Sequence, residues 1–213
     1  MLIDNSYGCA TSPCTPTSGY IVAGNASTLA TASAGVTISG AIYAAGNISV
    51  KGLSSGASGV TYSAAIKTTG DAITLTGLST ASYGIYASTA GGVVTATSTT
   101  AGLVRMTGTS TLNTSTGIYT ASSATITGGA GVYLMADGAG GGVNIGALIQ
   151  NSGTTSGVTV NAYGNVNLTV ITNTGVNGIT IISGRGLASG VTGGGNVTAV
   201  GTLTNSGGGV NAG

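Results

Sequence analysis

The stretch A-G-V-T-I-S-G, residues 34–40, sets the reading of this chain. A glycine opens it, an apolar residue follows, and apolar and hydroxylated side chains then alternate. Alternation with a period of two marks a half-buried strand. The stretch recurs as S-G-V-T-Y-S-A from Ser58, Y-G-I-Y-A-S from Tyr83, A-G-L-V-R-M-T from Ala101 and T-G-I-Y-T-A-S from Thr116. Further copies are A-G-V-Y-L-M-A from Ala130, S-G-V-T-V-N-A from Ser156 and N-G-I-T-I-I-S from Asn177. Gly35, Gly59 and Gly84 are 24 and 25 residues apart, and Gly131, Gly157 and Gly178 are 26 and 21 apart. Gly102 and Gly117 fall irregularly between these sets.

A second unit interleaves with the first. Asn, Asp or Gly leads into an alternating strand in N-I-S-V-K-G from Asn47, D-A-I-T-L-T-G from Asp71 and G-V-N-I-G from Gly142. N-V-N-L-T-V from Asn165 and N-V-T-A-V-G from Asn196 continue it. An Asn-Ser/Thr-Gly turn forms a third mark at Asn151, Asn173 and Asn205. Short strands returning at roughly 20–26 residues predict an all-β chain. The expected fold is a right-handed parallel β-helix, or β-solenoid, of about nine coils. Residues 27–213 form this repeat domain. Residues 1–26 hold both prolines and both cysteines and are expected to act as an N-terminal cap or assembly segment.

Composition limits what such a chain can do. The 213 residues include 41 glycines, four Lys or Arg and three Asp, and lack Glu, His, Trp and Phe. Ordinary domains are about a quarter charged, so Ser, Thr and Asn must dress this surface. Near-neutral charge does little to oppose association. General acid–base catalysis needs grouped titratable side chains, whereas Asp4, Asp71 and Asp137 are far apart in sequence. The expectation is no enzyme, no cofactor and no metal. Asp71 is expected at the turn position taken by Asn47 and Asn165 in other copies. Four dispersed cations make no nucleic-acid patch, and no apolar run reaches membrane-span length. Residues 1–7 lack the basic start and apolar core of a signal peptide.

Cys9 and Cys14, in C-A-T-S-P-C, permit a small disulfide loop or two inert thiols. A disulfide favours an oxidising compartment. Four tyrosines, Tyr62, Tyr86, Tyr119 and Tyr133, lie shortly after the apolar residue that follows a motif glycine. They fit either ordinary strand packing or an aromatic stripe contacting sugars or surfaces.

Two stretches carry a family resemblance. They are G-N-V-N-L-T-V-I-T-N-T-G-V-N-G-I-T-I-I-S-G, residues 164–184, and G-N-V-T-A-V-G-T-L-T-N-S-G-G-G-V-N-A-G, residues 195–213. Both resemble coils of filamentous-haemagglutinin-like bacterial exoproteins and large repeat adhesins. The resemblance implies a secreted, extracellular, cell-surface-associated protein that binds cells, surfaces or its own kind. The expected function is therefore a structural or adhesive module, part of an adhesin or filament that continues axially head-to-tail. Its partners are other copies, adjoining repeats of a longer chain, and cell-surface or glycan ligands. In self-assembly, Leu2, Ile3 and Tyr7 would supply a strand to the neighbouring subunit. A viral or phage fibre segment and an ice-binding solenoid are the alternatives. The second would use the Thr pairs of T-L-T at Thr74 and Thr202 and of T-I-T at Thr125.

Overall fold

A computed structural model describes residues 21–25, 33–88, 92–112, 114–139, 141–184, 196–199 and 201–212. Among them the chain forms twenty strands and no helix. The first are β1 (Ile21–Asn25), β2 (Val36–Ile38), β3 (Ile42–Ala44), β4 (Ile48–Ser54), β5 (Val60–Tyr62) and β6 (Ile66–Thr68). Next come β7 (Ile73–Ser79), β8 (Ile85–Ala87), β9 (Val93–Ala96), β10 (Leu103–Ser110), β11 (Ile118–Thr120) and β12 (Thr125–Gly128). β13 (Gly131–Asp137), β14 (Val143–Asn151), β15 (Val158–Ala162) and β16 (Val166–Asn173) follow. The chain then forms β17 (Ile179–Ile182), β18 (Val197–Ala199), β19 (Leu203–Asn205) and β20 (Val210–Ala212).

Buried and outward residues alternate along strands such as β4, β7 and β14, so each of these presents one apolar face to the interior. The strands build two sheets. Eight strands form the smaller, in the order β1-β4-β7-β10-β13-β15-β17-β20. The larger has twelve, running out through β2-β5-β8-β11-β14 and back through β12-β9-β6-β3, with β16 paired to β14 and β18 and β19 paired in turn to β16. Pairing is parallel, as in β4 with β7 and β11 with β14. Register stacks like on like: Ile48 beside Ile73, and Ile126 between Val94 and Ile149. One apolar core lies between the sheets, and most of these side chains are fully buried. Burying each Ile or Leu contributes about 1.5–3 kcal/mol.

This arrangement corrects the expectation of an open right-handed β-helix with about nine coils of roughly 20–26 residues. The larger sheet curls through 278° toward barrel closure. Its two flanks are one sheet because β14 pairs β11 near its start and β12 near its end. Separation between paired strands ranges from 21 residues, Val158 to Ile179, to 33, Ile85 to Ile118. Motifs alike in sequence also take unlike places. The glycine-led stretches at Gly35, Gly59, Gly84 and Gly117 lead into β2, β5, β8 and β11 of the larger sheet. Those at Gly102, Gly131, Gly157 and Gly178 lead into β10, β13, β15 and β17 of the smaller. The second unit, led by Asn, Asp or Gly142, crosses over in the opposite sense, from β4 and β7 to β14, β16 and β18. Period-two alternation fixes a strand's buried face but does not say which sheet receives it.

The adhesin resemblance is corrected together with the architecture it implied. So is head-to-tail filament assembly, which required one axially repeating module. The fibre and ice-binding alternatives rested on the same module and fall with it. Thr74 and Thr76 lie on the smaller sheet, whereas Thr125, Thr127 and Thr204 lie on the larger, so no single Thr face collects them.

Two glycine columns let the sheets approach. Gly52, Gly77 and Gly108 stand in register on the smaller sheet. A Cβ at these positions would strike the carbonyls of Gly59, Gly84 and Gly117, which lead into the larger sheet. Backbone thus lies against backbone at this corner, and side chains there would force it apart.

Candidate functional site

Parity decides where the tyrosines go. Tyr86, Tyr119 and Tyr133 each stand two residues after a motif glycine, but Tyr62 stands three after Gly59. One residue of offset reverses the face. Tyr62 therefore turns inward and is 0% exposed. Its hydroxyl has no protein partner, and burial pushes the phenol well above its ordinary pKa. Tyr133 has the outward offset but lies on β13, in the smaller sheet. There Arg105 Cζ sits 5.1 Å from its ring centroid.

Tyr86 and Tyr119 do meet. They are direct register partners on β8 and β11, with ring centroids 5.4 Å apart. Tyr83 joins them from the bend before Gly84, 4.9 Å from Tyr86 and 5.1 Å from Tyr119. All three are half-buried. Of the four tyrosines singled out in the sequence, two therefore belong to this group. Tyr83 was missed because it precedes the glycine that defines the motif; two tyrosines bracketing Gly-Ile in Y-G-I-Y were the available signal.

The group sits within a longer outward column. Register places Thr37, Thr61, Tyr86, Tyr119, Asn144, Asn167 and Thr198 side by side on successive strands. Neighbouring strands lie about 4.8 Å apart. The strands carrying this column bear no Lys, Arg, Asp or Glu. Lys67 belongs to β6 on the other flank, and Lys51 and Arg105 to the smaller sheet. Such a surface offers stacked aromatic rings, phenol and Thr hydroxyls, and amides that both donate and accept.

Other polar residues serve the fold. Asn173 Nδ2 donates to Gly175 O and Asn205 Oδ1 at 2.9 and 2.8 Å, while its Oδ1 accepts from Asn151 Nδ2 and Gly175 N at 2.7 and 3.1 Å. Ser79 Oγ donates to Ala57 O and accepts from Ala81 N and Ser82 N. Ser54 and Ser110 stand beside it in register. The recurring Asn-Ser/Thr-Gly turns marked the positions of the first set but not their bonding to one another; nothing in the sequence separated the second from ordinary surface serine.

The expected acidic turn shifts by one residue. Register puts Ala72, not Asp71, opposite Asn47, and Asn47 Oδ1 accepts from Ala72 N at 3.0 Å. Asp137 accepts from Gly138 N at 2.8 Å, at a turn where Gly138 has φ +85. Among the described residues, no group of three or more His, Cys, Asp or Glu side chains gathers. Cys9, Cys14, Leu2, Ile3 and Tyr7 lie outside the described residues. Comparison with protein-family models, curated proteins and solved structures finds no match to this chain.

Proposed function

We propose that the chain is a non-catalytic binding protein that acts outside the cell and contacts glycans through Tyr83, Tyr86 and Tyr119. One observation carries this reading: three tyrosine rings lie within 4.9–5.4 Å of one another on one outward face. Stacked on one another, the phenol rings offer apolar C–H edges and a group of hydroxyls to a sugar. Paired strands hold Tyr86 and Tyr119 in place, so little ordering entropy opposes binding. Three Asp and no Glu or His make a poor set for acid–base chemistry, which favours a binder over a catalyst. A sparsely charged, Thr- and Asn-rich surface suits hydroxylated ligands.

Affinity electrophoresis through polysaccharide-containing gels tests the proposal. Wild-type chain is expected to be retarded by at least one polysaccharide. Tyr86→Ala combined with Tyr119→Ala should weaken retention about tenfold, the loss of roughly one aromatic contact's worth of free energy. Circular dichroism must show the variant folded. Equal retention of a folded variant, or no retardation by any polysaccharide, would overturn the proposal.

A further inference from the structure

The tyrosine group is the middle of an uncharged column that crosses successive strands of the larger sheet, and that placement narrows the ligand. Tyr86 and Tyr119 are flanked by Thr61 on one side and by Asn144 and Asn167 on the other, one residue per strand. Successive positions are about 4.8 Å apart, of the order of the length of one hexopyranose unit. Stacked aromatic rings thus sit centrally, with amide donors and acceptors continuing along the same register. A chain of sugars laid across the strands would meet one side chain per unit.

Charge separates the alternatives. A carboxylated or sulfated saccharide needs cations, and the described cations Lys51, Lys67 and Arg105 all stand on strands outside the column. Resting on the glycan reading above, we infer that the column is an extended subsite for a neutral, linear, regularly repeating polysaccharide running perpendicular to the strands. The tyrosine ring edges and hydroxyls contact the central sugars, and Asn144 and Asn167 hydrogen-bond hydroxyls of the sugars beyond them.

Isothermal titration with neutral oligosaccharides of two to six units, and with an oligouronate of matching length, tests this inference. Affinity for the neutral series should rise with length by about tenfold or more. It should be nearly unchanged between about 0.05 and 0.5 M salt, where charge-based binding would be screened. Asn144→Ala with Asn167→Ala should remove most of the gain with length and leave disaccharide affinity intact. Three results would overturn the inference: preference for the oligouronate with salt-sensitive affinity, affinity that ignores length, or a length gain that survives loss of both asparagines. In each of these the glycan reading stands if the tyrosine variant still loses binding. Failure to bind any saccharide removes both.

Discussion

Tyr62 and Tyr86 are equivalent to the eye in sequence, yet one fills the core and the other faces out. Their difference is a single residue of spacing after glycine, and the two-residue period of a strand converts it into opposite faces. Tyr62 is the more exacting position because its buried hydroxyl finds no protein partner. Tyr62→Phe is expected to keep stability or raise it by about 1 kcal/mol, since an unpaired buried polar group is removed. Burial raises the folded-state pKa above the ordinary value near 10. The unfolded chain therefore loses this proton first, so the contribution to stability is full below about pH 10 and falls above it. Urea unfolding near pH 8 and pH 11 should show a larger loss for wild type than for Tyr62→Phe; equal losses would contradict the assignment. Asn173 is the opposite case, with its amide fully used. Asn173→Ala should cost about 3 kcal/mol or more. Asn173→Asp should cost more again above about pH 4, where a carboxylate would face Gly175 O and Asn205 Oδ1. An unfolding midpoint within error of wild type for either variant would sink this account of the ladder.

At the scale of elements, much was legible. Short alternating runs such as I-T-L-T at residues 73–76 announce both a strand and its buried face. The turn asparagines were visible as a recurring triplet, though not as a ladder, because the register that joins Asn151 to Asn173 depends on pairing 22 residues away. The glycine columns were visible only as composition. Their role appears when two strands from different sheets are brought together, and the consequence can be measured. Gly77→Ala would set a Cβ against the Gly84 carbonyl, whereas a Cβ at Gly40 meets nothing within 4 Å. Gly77→Ala is therefore expected to destabilise by about 1–3 kcal/mol through overpacking, and Gly40→Ala to stay within about 0.5 kcal/mol. Equal thermal shifts for the two would show that the close approach at the glycine corner is not what the columns serve.

Over the whole molecule, long-range partition decided what local pattern could not. The same glycine-led stretch feeds the larger sheet at Gly35 and the smaller sheet at Gly131. Taken as one unit, they predict an open helical rod, which the partition between two sheets overturns. The 33-residue separation of Ile85 and Ile118, set against 21 for Val158 and Ile179, shows that connections vary while the paired strands keep register. That register gathers Tyr83, Tyr86 and Tyr119 and leaves Tyr133 on the other sheet with Arg105. The candidate site was half legible for this reason: residue type and parity were in the sequence, and the choice of sheet was not. The most direct test is a nuclear magnetic resonance titration of ring-labelled tyrosines with a neutral oligosaccharide. The account predicts mutual ring contacts among Tyr83, Tyr86 and Tyr119 and shifts confined to these three, with Tyr62 and Tyr133 unmoved. Shifts centred on Tyr133, or ring contacts joining Tyr86 to Tyr133 in place of Tyr119, would contradict it.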